Sequence, residues 1–361
     1  MRAVDVLAMP FHAARIASSQ KSFLHNPLLR SPRLNRYGLH AARVRAAMRM
    51  AERRRQSLAR HVPEDVREQY QENGYVALPD FLSDDVFQRV RAEIAGDFER
   101  YDMVQGSTAT RRAMIDPADL RERPGLRAAR SDPRMLNTIR YVASSGGQPL
   151  VVLQIVMARP SGGAGIDPQT NLHADTFHPC AKSWLFLEDV GPEDGPFAYV
   201  PGSHRMTPER MEWETGLVLG LGDTKDRHTL VGSPRVPADQ LGALGYKQPV
   251  PMVVRANTLV VADTHGFHAR SASPKPTTRI EVYGSLRRNP FVPWTGGHAA
   301  SLPGIAGRTN RLSTEGLTAL KRLGLRGSPW RAKGVGPIRE WPAELPLDAA
   351  AERPNSPLNG F

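Results

Sequence analysis

His173 and Asp175 form the triplet His173-Ala174-Asp175, His268 lies far downstream, and Arg279 follows eleven positions after it. Two imidazoles and one carboxylate make a facial ligand set for non-haem Fe(II), leaving three coordination positions open for a cosubstrate and O2. A guanidinium at the distance of Arg279 suits the far carboxylate of a 2-oxo diacid chelated to that iron. Its planar fork offers two parallel N–H···O bonds, which lysine cannot copy.

A lone His-x-Asp is weak evidence, because a surface turn in which Asp175 accepts from backbone would look the same. In an extended strand residues i and i+2 share a face, so His173 and Asp175 are expected to point into one cavity. The surroundings add specificity. Asp194-Gly195-Pro196-Phe197 and Pro201-Gly202-Ser203-His204 follow the triplet, and Asp263-Thr264-His265-Gly266-Phe267-His268-Ala269-Arg270 precedes Arg279. Upstream stands Gly74-Tyr75-Val76-Ala77-Leu78-Pro79-Asp80-Phe81-Leu82, a short strand and turn. In these elements, and in their order, the chain resembles the phytanoyl-CoA dioxygenase family of Fe(II)- and 2-oxoglutarate-dependent oxygenases, over roughly residues 64–290.

The resemblance implies a double-stranded β-helix, with His173, Asp175 and His268 as iron ligands and Arg279 as the 2-oxoglutarate clamp. His265 is a rival for the distal ligand, but it lies fourteen positions before Arg279, whereas His268 lies eleven before it. His204 is expected to secure its own turn. His178 is as readily a packed or solvent-facing histidine as a pocket residue. Period-two alternation puts Glu281 and Tyr283 on the face of Arg279. Tyr283 is a candidate hydroxyl donor to the cosubstrate, and Gln154 a weaker candidate contact. An inward Glu281 would be costly unpaired, so it either holds Arg279 or marks a bulge.

The cofactors so implied are Fe(II), with 2-oxoglutarate and O2 as cosubstrates and succinate and CO2 as products. Related halogenases replace the ligating carboxylate with a small residue to admit chloride. Asp175 is present here, so hydroxylation of an unactivated C–H is the default outcome, with desaturation, ring closure or epimerisation left open. The expected substrate is a small-molecule or lipid-like metabolite. Phe177, Trp184 and Tyr199 are candidates for the pocket rim, with barrel core the better reading for Trp184.

These residues need a scaffold. Short β-branched or aromatic runs at 150–157, 183–187, 197–200, 252–254, 258–262 and 279–286 read as strands, and no crossover helices alternate with them. The expectation is therefore a mainly β protein with flanking helices: a double-stranded β-helix (jelly-roll, cupin-like) core under a helical N-terminal layer. The division expected is a basic helical extension at 1–62, the oxygenase domain at 63–295, and a Gly/Pro-rich basic extension at 296–361. Pro10, Asn26-Pro27 and Ser31-Pro32 make residues 1–32 read as weakly structured. A helix is expected from about 34 to 58, with Ala41, Val44, Met48 and Ala51 on its apolar stripe and Arg43, Arg45, Arg49, Arg53, Arg54 and Arg55 mostly off it. Ser83 reads as an N-cap before a helix carrying Val86, Val90, Ile94 and Phe98. The polar stretch at 99–147 carries no strand pattern.

Composition bounds the rest. With 361 residues, 40% of them hydrophobic and 23% charged, the chain can bury a large core. No apolar run spans a bilayer. One cysteine, Cys180, excludes an intrachain disulfide and cysteine-built metal sites, and agrees with a cytoplasmic location. The formal charge is +12, and the first fifty residues hold nine Lys or Arg against one acid, Asp5. That start also fits an organellar transit peptide. Peripheral contact of the basic helix with an anionic membrane is the second reading of 34–58, after simple packing on the domain. Specific nucleic-acid binding is not expected, because no basic patch is interleaved with aromatics. The rival of a different class is a catalytically idle barrel serving as a binding module, against which the intact ligand set argues.

Overall fold

The computed structural model describes residues 8–117, 119–160, 167–298 and 329–343, with isolated positions between 301 and 323 and Leu345. Eleven strands are formed among them: β1 (Tyr75–Leu78), β2 (Asp97–Gln105), β3 (Thr108–Met114), β4 (Leu150–Ala158), β5 (Ala181–Phe186), β6 (Phe197–Tyr199), β7 (Val250–Pro251), β8 (Thr258–Asp263), β9 (His268–Arg270), β10 (Thr277–Leu286) and β11 (Arg331–Pro337). They make two sheets, one of eight strands in the order β1-β8-β5-β10-β4-β3-β2-β11 and one of three in the order β7-β6-β9. Every pairing is antiparallel.

The central strands are apolar on both faces because both faces are covered. Leu153, Ile155 and Met157 of β4 pack outward with Ile139, Met135, Val90 and Leu126 from the flanking helices. The alternate residues face the space between the sheets, where Val152, Trp184, Phe186, Phe197, Tyr199, Val260 and Tyr283 form a second cluster. Each fully buried Leu, Ile or Phe contributes about 1.5–3 kcal/mol, so the two clusters set the β10–β4 register firmly. That register runs unbroken from Thr277↔Ala158 to Ser285↔Leu150, and β10 has no bulge at Glu281.

Several sequence expectations change. The stretch at 99–147 contains β2, β3 and two helices. Its strands lack an apolar alternation because their inward positions carry charge: Arg111 grips Asp102 through two bonds of 2.7 and 2.8 Å, both side chains buried. The segment from 8 to 32 contains short helices at Met9–Ile16 and Pro27–Arg30. Asn26 and Ser31 cap helices that begin with Pro27 and Pro32, so these prolines start helices rather than break them. Ser83 does precede the Asp84–Glu93 helix, without a side-chain cap bond, and Phe98 belongs to β2.

The Leu39–Leu58 helix packs on the domain. Its arginines are not all in water. Arg43 donates to the carbonyls of Ile16, Ser18 and Gln20, and Arg54 to those of Ser144, Pro290 and Val292. Arg55 stacks 4.6 Å over the Tyr70 ring. Arg45, Arg49 and Arg53 stay exposed. No helix among the described residues is long and apolar enough to cross a membrane. Beyond 296, β11 joins the large sheet beside β2.

Candidate metal centre and active-site cavity

His268 opens β9 in the small sheet, and His173 pairs with it from an extended segment rather than a regular strand. The two residues exchange both backbone bonds, His173 N to His268 O at 2.9 Å and His268 N to His173 O at 3.0 Å. This bridge brings their rings to a centroid separation of 4.3 Å. Asp175 is anchored by its own N–H to Thr264 O at 2.8 Å. The expected convergence therefore holds, with pairing across the sheet as its cause instead of strand alternation alone.

Both imidazoles are oriented by backbone. Nδ1 of His173 lies 2.8 Å from Asn171 O, and Nδ1 of His268 lies 2.9 Å from Gly266 O. Each Nδ1 must donate there, so each Nε2 presents a lone pair. Both Nε2 atoms lie 3.8 Å from Asp175 Oδ1. Nε2 of His268 is buried without a hydrogen-bond partner among the described residues. Burial pulls the His268 imidazole down to about 4 and the His173 imidazole well below its ordinary value, with His268 nearby lowering His173 further. Burial alone would raise Asp175, but the Lys182 ammonium and the two histidines outweigh it and hold the carboxyl well below the usual range. Two neutral imidazoles and one carboxylate oxygen, within 4.8 Å of one another, fit a ferrous ion.

The histidines open onto a cavity of about 230 Å³. Lys182, Trp184, Phe197, Arg270, Arg279, Gln154, Tyr283 and Arg112 line it with them. Arg279 is buried; its Nε donates to Glu281 Oε2 at 3.2 Å and its Nη1 to Gly195 O. Gly195 has φ +61°, and a Cβ there would lie 2.6 Å from Ser273 Oγ, so the Gly-Pro-Phe element needs its glycine to present this carbonyl. Gln154 accepts from Arg112 Nε at 2.8 Å and donates to Glu281 Oε1 at 2.7 Å. The Arg112 guanidinium stacks 4.6 Å from the Tyr283 ring and 4.5 Å from that of Trp330. Arg270 is paired with Asp167 at 2.6 Å.

His265 is buried elsewhere, its Nδ1 2.9 Å from Thr176 O, and takes no part in the metal set. His204 packs 5.0 Å from the Tyr70 ring, while Ser203 ties the turn through Val200 O. His178 is buried with Nδ1 on Pro179 O. Tyr199 is core, its hydroxyl donating to Asp263 O at 2.8 Å, and Phe177 packs under Arg43 away from the cavity. Trp184 does line the cavity, stacked 4.2 Å from Phe197. Lys182 and Arg270 escaped the sequence reading. The signal was present, since both stand two positions from a residue that faces the cavity, Trp184 and His268.

The fold and centre define a double-stranded β-helix oxygenase with a two-histidine, one-carboxylate metal set. A family model described as phytanoyl-CoA dioxygenase matches residues 70–269, and the chain belongs to this family. It is an Fe(II)- and 2-oxoglutarate-dependent oxygenase in general type. No curated protein matches the chain. Among solved structures, the epimerase SnoN in complex with Fe3+, alpha ketoglutarate and nogalamycin RO is 18% identical, with a TM-score of 0.39, covering 70% of this chain and 92% of that one. HygX from Streptomyces hygroscopicus, with nickel, 2-oxoglutarate and hygromycin B bound, is 15% identical, with a TM-score of 0.39, covering 62% and 86%. AviO1 from Streptomyces viridochromogenes Tue57 is 16% identical, with a TM-score of 0.35, covering 61% and 92%.

Proposed function

We propose that the protein holds Fe(II) through Nε2 of His173, Nε2 of His268 and Oδ1 of Asp175, binds 2-oxoglutarate against Arg279, and hydroxylates an unactivated C–H of a small-molecule or lipid-like metabolite. The balance is substrate, 2-oxoglutarate and O2 giving hydroxylated substrate, succinate and CO2. Bound iron supplies the activation of O2 and the oxidising power for the C–H bond. The chain's own residues bind and orient. The carbonyls of Asn171 and Gly266 fix the imidazole tautomers. Glu281 and Gly195 O hold the Arg279 guanidinium through Nε and one Nη1 hydrogen, leaving the second Nη1 hydrogen and both on Nη2 for a ligand carboxylate. The fork that includes Nε is taken by the protein, and the end-on fork of Nη1 and Nη2 is the one left for a ligand. Tyr283 adds a hydroxyl on the same strand. Gln154 acts mainly by holding Glu281 and Arg112, with one amide hydrogen to spare. Trp184, Phe197, Val156 and Met103 give the cavity apolar wall, which suits a substrate with hydrocarbon character.

The observation that carries this reading is the buried, unpartnered Nε2 of His268 aimed at the same point as His173 and Asp175. A cation is the partner that such a lone pair lacks. Anaerobic titration with Fe(II) and then 2-oxoglutarate tests it. A visible charge-transfer band is expected for the wild type and none for His173→Ala or Asp175→Ala. A band that survives in both variants would place the iron elsewhere. Succinate release against a metabolite panel then identifies the substrate, and product mass separates hydroxylation from desaturation or ring closure.

A further inference from the structure

Asp175 is held by lysines at both of its ends. Lys182 Nζ lies 2.6 Å from Oδ2 of the carboxylate, and Lys21 Nζ, from the N-terminal segment, lies 2.6 Å from the backbone oxygen. Oδ1 is left to face the two imidazole nitrogens, 3.8 Å from each. The two oxygens therefore have separate duties, and the lysine contact is compatible with a metal on Oδ1. Lys182 shares the inward side of β5 with Trp184 and lines the cavity together with His173 and His268.

Among the cavity's cations, this lysine is the one whose counter-ion is the candidate ligand carboxylate itself. Arg279 has Glu281 as its counter-ion and Arg270 has Asp167. Among the described residues Lys182 has Asp175 as its one ion-pair partner, a carboxylate that the metal also claims. When a divalent ion takes Oδ1, the single negative charge is shared among the ion, Lys182 and the nearby imidazoles. Lys182 then contributes one positive charge beyond the three ligands, in addition to the Lys21 ammonium at the backbone end of Asp175. Resting on the function proposed above, we propose that Lys182 is a positioning residue that fixes Asp175 to one-oxygen ligation and keeps the centre cationic enough to favour a dianionic 2-oxo acid.

The test separates this role from mere support of the fold. Wild type, Lys182→Met and Lys182→Arg are titrated anaerobically with Fe(II), then with 2-oxoglutarate, following metal binding by calorimetry and the cosubstrate by the charge-transfer band. Lys182→Met is expected to keep its metal, since a repelling charge has gone, while its 2-oxoglutarate dissociation constant rises about tenfold or more and its band shifts. Lys182→Arg is expected to restore cosubstrate affinity to within about threefold of wild type, because it keeps the charge. Unchanged cosubstrate affinity in Lys182→Met overturns the proposal. So does joint loss of metal and cosubstrate, which is the pattern of a damaged site. A wild type that binds neither iron nor 2-oxoglutarate overturns the functional reading itself, and this inference with it.

Discussion

At the metal end of the cavity, the Nε2 of His268 is buried with no partner among the described residues. Around Arg279 in the same cavity, the guanidinium groups already have acceptors: Arg279 has Glu281 and Gly195 O, Arg270 has Asp167, and Arg112 has Gln154. The first end is unsatisfied and complementary to a cation. The second is a closed network, fixed in place before any ligand arrives. Leaving a buried acceptor bare costs stability, whereas a paired network costs little until one member is removed. The contrast shows two ways of preparing a site. One stores an unmet demand for a ligand, and the other pre-orients donors so that little side-chain entropy is lost on binding.

The contrast can be broken most severely at Arg279. Arg279→Ala leaves Glu281 buried without its counter-ion, and a stability loss of about 3 kcal/mol is expected with it. The cleaner probe is the double variant Arg279→Met with Glu281→Gln, which removes both charges. Its 2-oxoglutarate affinity is expected to fall about 100-fold with iron binding kept. If calorimetry shows wild-type cosubstrate affinity in the double variant, the clamp lies elsewhere in the cavity, with Arg112 the next guanidinium to replace.

Glu281→Gln alone sharpens the same comparison. It keeps the side-chain shape but removes the charge and, because Gln154 and Arg279 both donate to Glu281, turns an amide NH2 toward one of them, so the closed end becomes, like the metal end, a site with an unmet demand. Stability in the absence of ligand is expected to drop by about 2 kcal/mol. The added thermal stabilisation on 2-oxoglutarate binding is expected to exceed that of the wild type. Equal thermal shifts in both proteins would mean that Glu281 does not compete with the ligand for Arg279.

The two ends also differed in how far the sequence revealed them. The metal end was legible because its residue types are rare and their spacing is tied to the fold: His173, Asp175 and His268 converge as expected. The central strands were legible too, since β4, β5, β8 and β10 are apolar runs bounded by turn residues. Strands β2 and β3 were not, because Arg100, Asp102 and Arg111 occupy buried positions and pair with polar partners, which erases the period-two signal. The same effect hid Arg43, Arg54 and Arg55, which bury their guanidinium groups against backbone carbonyls and an aromatic ring. Carbonyl acceptors at loop ends depend on the folded path and leave no mark in composition. Lys182 was hidden by a boundary, since the expected strand began at 183 while β5 begins at Ala181.

The smallest change that still distinguishes the two ends is Tyr283→Phe. Tyr283 lines the cavity, pairs with Val152 of β4 and Trp184 of β5, and carries Arg112 over its ring at 4.6 Å. The ring contacts survive the substitution, so stability is expected to stay within about 0.5 kcal/mol. Only the hydroxyl is lost. If it donates to a carboxylate of the cosubstrate, KM for 2-oxoglutarate rises about tenfold, the low end for a hydrogen bond to a charged group, while kcat is kept. An unchanged KM would assign Tyr283 to the cavity wall and leave Arg279 as the principal donor at the closed end. A fall in kcat without a change in KM would instead put the hydroxyl near the reacting C–H, at the metal end.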